Sequence, residues 1–449
     1  MSRCSSSDRR GRRPPGPGAG GPKDEDRQEG GRQLSTDPTP RPPQDPAAAE
    51  TPEATPLLAP RDGLPPVIET STQLVGYAEA LHAGTGPVAV DAERASGYRY
   101  GQRAYLVQLR RAGSGTGLLD PIPLPDLSVL QAAIADAEWV LHAANQDLPC
   151  LAEIGLTPAR IFDTELAARL AGLPRVGLGA VVESLLGFSL QKGHSAADWS
   201  TRPLPEEWLV YAALDVEVLV DLRDALAAIL EEQGKTEWAR QEFEATLAAG
   251  PPAPRQDPWR RTSGVHGLRS RRQLGMLRAI WEARDELARK RDVAPGRVLP
   301  DSAMVAAVQA DPKNEGALLE LPVFRGRANR RLVAHWYNAL ARGKALPEDE
   351  LPLHSRPGDG PPPVNRWADR DPAAATRLQV VRAGLAELSE KHSVPVENIL
   401  SPDLVRRIMW SPPEPREPAA VAEALRAGGA RGWQVELTRD LLADAVTRA

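Results

Sequence analysis

Cysteine is almost missing from this chain: 449 residues contain two, Cys4 and Cys150. One lies in a polar N-terminal stretch and the other in a helix-like segment, so no disulfide framework is expected. Aromatic residues make up only 4%. No apolar run approaches the ~20 residues of a membrane-spanning helix, and no membrane partner is expected. The N-terminal arginines lead into no apolar stretch of the kind a secretory leader carries. No Gly-x-x-x-x-Gly-Lys-[Ser/Thr] loop occurs, which argues against a helicase. His142 and His194 have no His or Cys partner at ligand spacing and do not read as zinc ligands. With 41% hydrophobic and 26% charged residues, the chain reads as soluble and cytoplasmic, with roughly three domains by its length.

Charge is present, and unevenly spread. The net charge is −5, yet residues 256–345 hold 18 Arg and Lys against 9 Asp and Glu, a local excess of +9 on a remainder of −14. A basic segment on an acidic chain points to a polyanionic partner. Residues 1–65 are rich in Pro, Gly and Ser without apolar periodicity, the composition of a disordered tail. From Val67 to about Glu242, strand-like runs ("GPVAVDAE", "RAYLVQLRR", "TGLLDPI", "EWVLHAANQD") mix with helical ones. This predicts a mixed sheet flanked by helices. "PLPEEWLVYAALDVEVLVDLRDALAAILEEQG" predicts one long amphipathic helix. Beyond a Pro-rich linker the chain reads all-helical. A long helix followed by short ones occurs over 256–345 and again over 375–449, with a Pro-rich joint at 346–374 between them, as two copies of one module would.

"VAVDAE" ends on two acids, Asp91 and Glu93, which alternation places on one strand face. Asp147 follows an apolar strand and precedes a helix, a position where α/β sheets build sites. Tyr211 and Asp215 in "YAALD" are four apart, on one helical face. Taken singly each has a plain explanation: solvated acids, an N-cap at Asp147, a half-buried core tyrosine. Together they could aim four carboxylates at one pocket. Such a cluster stays ionised only if cations neutralise it; otherwise its pKa values rise. Oxygen-only ligands favour Mg²⁺ or Mn²⁺ over Zn²⁺, and two such ions about 3.5–4 Å apart suit phosphoryl displacement.

"VAVDAE", "HAANQD" and the Tyr-x-x-x-Asp of "YAALD" resemble, in order and separation, the three motifs of ribonuclease D, a family of DEDDy 3′–5′ exonucleases. "FDTELAARLAG" and "HSAADWSTRPLPEEWLVYAALD" strengthen the likeness, the Asp-Trp-Ser-x-Arg-Pro-Leu segment most of all. "GLRSRRQLGMLRAIWEARDELARKRD" through "NALARG" resembles an HRDC domain, and 375–449 a more divergent second copy. The resemblance implies an α/β RNase-H-like exonuclease domain at 66–250, followed by all-α HRDC-type helical domains. It implies that Asp91, Glu93, Asp147 and Asp215 hold two divalent cations, with Tyr211 orienting the attacking water. It also implies release of nucleoside 5′-monophosphates from RNA 3′ ends, as in tRNA or other stable-RNA processing.

The basic segment offers a grip on the RNA backbone. Arg269, Arg271 and Arg272 form one cluster and Arg325, Arg327, Arg330 and Arg331 a second. A solvated helix face is the competing explanation. Trp281 and Trp336 fall at amphipathic positions and read as core. Two alternatives stay open: the same chemistry on DNA, and a non-catalytic RNA-binding scaffold, which would need a broken motif where none is broken.

Overall fold

The computed structural model describes residues 54–191, 193–194, 196–250, 253–354 and 360–448. The tail expected over 1–65 therefore lies mostly outside the described residues. Its last part departs from that expectation. Strand β1 (Thr55–Leu57) pairs in parallel with β8 (Phe188–Leu190), and Arg61 reaches the carboxylates of Glu217 and Asp221 at 3.7 and 3.3 Å.

A six-stranded mixed sheet carries the first domain, formed by β2 (Val67–Ile68), β3 (Thr85–Arg94), β4 (Ala104–Ala112), β5 (Gly115–Leu119), β6 (Glu138–Leu141) and β7 (Arg160–Asp163). Its order is β2-β5-β4-β3-β6-β7, with β4 antiparallel to both β3 and β5 and the other pairs parallel. Central strand β3 is covered on both faces. Val88, Val90 and Ala92 join the main core, while Ala89 packs with Val140, Val216 and Leu219 on the opposite side. This double burial explains why β3 reads as an apolar run up to the point where its acids begin.

The single helix expected over 204–233 is two. One spans Glu206–Glu217 and the next Leu219–Glu232, and Val218 between them interrupts the run, still right-handed but stretched from ideal helical angles at φ −106°, ψ −7°. The break lets the two apolar stripes face different partners. Ala212 and Ala213 of the first helix pack with Leu106 and Leu118 on the acid-bearing face of the sheet, whereas Leu222, Leu226 and Leu230 join the main core. Glu217, buried at the break, sits 3.3 Å from Arg110. Apolar spacing alone hides a one-residue interruption.

Residues 259–340 build a second, separate core around Trp259, Leu277, Ile280, Phe324 and Trp336. Trp336 is fully buried and Trp281 packs half-buried against this core, as their spacing predicts. Helices Arg271–Arg291 and Val333–Lys344 cross where two glycines meet. A Cβ on Gly343 would lie 2.4 Å from the Gly275 carbonyl, so only glycine permits this approach.

The C-terminal helices repeat that module's geometry. Arg271–Arg291 and Pro372–His392 are both 21 residues long, and each ends on a left-handed residue, Asp292 or Ser393. Each is followed by a four-residue helix, Pro295–Val298 or Val396–Ile399, and then by a helix starting at Asp301 or Pro402, all at a constant offset. The joint over 346–374 is not a plain linker: Trp367 is fully buried, its indole N–H donates to the Pro362 carbonyl, and its ring packs on Trp410.

Unlike the basic module, these helices share the sheet domain's core. Trp433 stacks on Trp238 at 4.5 Å and donates from its indole to Glu242, which also pairs with Arg431. Buried Lys235 donates to the carbonyls of Leu170 and His392, 2.6 Å each, one on either side of the junction.

Candidate active site

The strand pleat puts Asp91 and Glu93 on one face of β3, opposite Gln108 and Leu106 of β4. Helix Glu206–Glu217 crosses that face and presents Tyr211 and Asp215 one turn apart. Carboxylate oxygens of Asp91, Glu93 and Asp215 lie within 4.8 Å of one another. Asp147 and Tyr211 line the same cavity of about 620 Å³ as these three.

Asp147 arrives by a bent route. Strand β6 ends at Leu141, Ala143 turns left-handed at φ 60°, and a 3₁₀ turn spans Ala144–Gln146. Asp147 occupies the N-cap position of helix Leu148–Glu153, yet its side chain makes no capping bond. Its carboxylate instead faces Arg94, 3.8 Å away. Buried Asp163, at the end of β7, pins the turn. Its carboxylate accepts from the backbone N–H groups of Ala143 (3.0 Å), Ala144 (2.9 Å), Glu165 (2.9 Å) and Leu166 (3.3 Å). One side chain thus starts the next helix and holds the turn that delivers Asp147.

The electrostatics follow from this crowding. Burial pushes the Asp91 carboxyl up to about 6. Burial, then the charges of Asp91, Asp215 and Asp147, push Glu93 up to about 10. Asp147 and Asp215 are raised in the same direction, first by burial and then by Asp91. Arg94 opposes the rise at Asp91, Glu93 and Asp147, and the Tyr211 hydroxyl opposes it at Asp215. Burial raises Tyr211 as well, with Asp215 the largest charge adding to it, so its phenol stays protonated near neutrality. Four carboxylates held this way ionise together only beside added positive charge. An all-oxygen donor set of this kind fits hard divalent cations.

Three residues at or near this site carry no role from the sequence. Arg94 follows Glu93 directly, so adjacency was the signal that could have marked it. Asp163 was visible within "FDTEL" but gives no sign of reaching back to Ala143. Arg202, in the Asp-Trp-Ser-x-Arg-Pro-Leu segment, grips buried Asp120 at 2.5 and 2.9 Å and donates to the carbonyls of Tyr105 and Trp199. Trp199 is fully buried and donates to the His194 carbonyl at 3.2 Å. The motif therefore staples the loop before the Tyr211 helix to strands β4 and β5.

The two arginine clusters separate. Arg271 and Arg272 are half-buried and donate to the carbonyls of Glu348, Leu351, Lys344 and Leu346. They latch the chain that leaves the basic module. Arg269, Arg325, Arg327, Arg330 and Arg331 are exposed.

Comparison with known proteins follows this layout. Residues 65–231 match the family model for a 3′-5′ exonuclease, 273–340 that for the HRDC domain, and 360–446 that for a 3′ to 5′ exonuclease C-terminal domain. The last match begins before residue 375 and takes in buried Trp367. A ribonuclease D of Gluconacetobacter diazotrophicus is 32% identical over 356 residues, 78% of this chain and 87% of its own. A crystal structure of a protein from Bifidobacterium adolescentis superposes with a TM-score of 0.81 at 39% identity, covering 88% of this chain and all of that one. The crystal structure of Escherichia coli RNase D superposes with a TM-score of 0.63 at 26% identity, over 85% of this chain and 98% of that one. The acid-bearing sheet, the helical module after it and the near full-length likeness place this chain in the ribonuclease D family.

Proposed function

We propose that this chain is a metal-dependent 3′–5′ exoribonuclease that trims structured RNAs, tRNA precursors among them, from a free 3′ end. The observation that carries the reading is the convergence of Asp91, Glu93 and Asp215 within 4.8 Å, in one cavity with Asp147 and Tyr211. The Escherichia coli relative is described as an exoribonuclease involved in structured RNA processing, which supports the choice of substrate.

Asp91, Glu93, Asp147 and Asp215 would hold two divalent cations, Mg²⁺ or Mn²⁺. When bound, these neutralise the carboxylates and lower the pKa of water at the site. The protein's own groups do the rest. The protonated Tyr211 hydroxyl is a hydrogen-bond partner for the attacking water and orients it in line with the terminal phosphodiester. Arg94, beside Asp147, offers a fixed positive charge to the phosphate oxygens as negative charge develops there. The water oxygen bonds to phosphorus and the bond to the 3′ oxygen breaks. A nucleoside 5′-monophosphate leaves, and the shortened RNA keeps a 3′ hydroxyl. Exposed Arg269, Arg325, Arg327, Arg330 and Arg331 would grip the backbone upstream.

The test incubates the full chain with 5′-labelled single-stranded RNA and the matching DNA, in Mg²⁺, Mn²⁺ or chelator. Stepwise shortening of the RNA from the 3′ end is expected, lost with chelator and reduced at least ~100-fold by Asp91→Ala. Full activity in Asp91→Ala, or equal degradation of RNA blocked by a 3′ phosphate, would overturn the reading.

A further inference from the structure

The connection that follows the catalytic strand is not left to itself. After Arg94 the chain runs through "ASGYRYGQR" to β4, and this stretch lies against the HRDC module. The Arg297 guanidinium stacks over the Tyr98 ring at 3.9 Å, while its Nε donates to the Gly97 carbonyl at 2.8 Å. The Ala294 amide donates to the Tyr98 carbonyl at 2.9 Å. The Tyr100 hydroxyl donates to the Asp285 carboxylate at 3.1 Å, and the Tyr100 and Gly101 amides both donate to Asp292 at 3.2 Å. On its other side the stretch meets the motif loop: Arg99 donates to Ser200 at 2.8 Å.

The contacts span the C-terminal end of the module's long helix and the short helix after it, Pro295–Val298. Their anchor residues start four positions from Glu93 and three from Arg94. Ala95, between, is fully buried. A stretch held by a stacked cation, two bonds to its own carbonyls and three bonds to carboxylates has little freedom, and it cannot shift without moving the strand end that carries both site residues. A module serving only as a distant RNA tether would need none of these bonds.

We propose that the HRDC module has a second role: it braces the Gly97–Gly101 connection and thereby positions Glu93 and Arg94 for the hydrolytic step, with Tyr98, Tyr100 and Arg297 as positioning residues. The inference rests on the exonuclease reading above. Reaction geometry tolerates little displacement, and ~1 Å of misplacement can cost about 100-fold.

The test compares steady-state kinetics of the full chain on a ribodinucleotide and on a 5′-labelled RNA long enough to reach the arginine cluster. Arg297→Ala is expected to lower kcat about tenfold on both substrates by the same factor, with KM for the dinucleotide within twofold of the unaltered protein. Arg297→Lys, which keeps a cation over Tyr98, should restore most of the loss. Tyr100→Phe removes one hydroxyl and should lower dinucleotide kcat about threefold; it decides the matter if Arg297→Ala does not fold. Loss on the long RNA alone, through KM, would mean tethering only and overturn the proposal, as would dinucleotide kcat unchanged in both variants. Activity surviving in Asp91→Ala would instead overturn the exonuclease reading and leave this seam's geometry untouched.

Discussion

Glu93 shows how a side chain proposed to hold a cation can be costly to the fold. Its carboxyl is buried among three other acids, and its pKa stands at about 10 rather than the ordinary 4.5. An acid raised in this way favours the folded state below its unfolded pKa, and that contribution is lost as pH climbs toward the folded value. At pH 7 without cations, Glu93 therefore destabilises the protein. Glu93→Gln should raise the midpoint of thermal unfolding in chelator by roughly 2–4 °C while eliminating exonuclease turnover; an unchanged or lower midpoint by calorimetry would contradict the crowding. His142 shows the opposite case. Burial pushes its imidazole from the usual 6.5 down to about 4, with the Thr164 hydroxyl 2.9 Å from Nδ1. Its contribution is complete above about pH 6.5 and declines as pH falls through 4, because the unfolded chain takes up a proton that the folded one excludes. Urea titrations at stepped pH should show the unaltered protein losing on the order of 2–3 kcal/mol more stability than His142→Gln between about pH 6.5 and pH 4.

At the scale of elements, the clustered carboxylates stood out in the sequence because each sits in a short local pattern: a strand ending in two acids, an acid at a strand-to-helix turn, a tyrosine and an acid one helical turn apart. What the sequence did not expose are the elements' mutual anchors. Asp163 belongs to a helix start in the sequence, and its grip on Ala143 and Ala144 exists only once β6 and β7 lie side by side. Val218 interrupts a helix whose apolar spacing runs on unbroken, since the interruption answers to two different packing surfaces. Arg271 and Arg272 look like a nucleic-acid patch until the chain at 344–352 folds back on them. The pin at Asp163 makes a direct prediction. Asp163→Ala should weaken Mn²⁺ affinity about 10–100-fold by letting Asp147 drift, and cost about 1 kcal/mol through the lost cap. Isothermal titration and chemical denaturation read the two effects separately. An unaltered affinity would mean the turn holds without its pin.

Across the whole molecule, the two helical modules look alike from element lengths but differ in what they are attached to. The HRDC module closes on its own core of Trp259, Phe324, Trp336 and their neighbours. The C-terminal helices complete the core of the sheet domain through Trp433, Trp238 and Glu242. No periodicity in a single segment could separate these cases, because the distinction lies in long-range contacts. It predicts unequal behaviour of fragments. Residues 256–354 expressed alone should unfold cooperatively, whereas residues 54–354 should aggregate or melt well below the full chain. A stable, cooperatively melting 54–354 fragment would show that the shared core is dispensable.

The pairing of β1 with β8 has a practical side. Ser189 and Leu190, from β8, form part of the cavity wall near Tyr211 and Asp215. A recombinant form trimmed to residue 65, where the exonuclease family match begins, discards the partner of that wall and the Arg61 contacts to Glu217 and Asp221. Cutting at residue 53 instead would spare both, and assays of a minimal nuclease should start there.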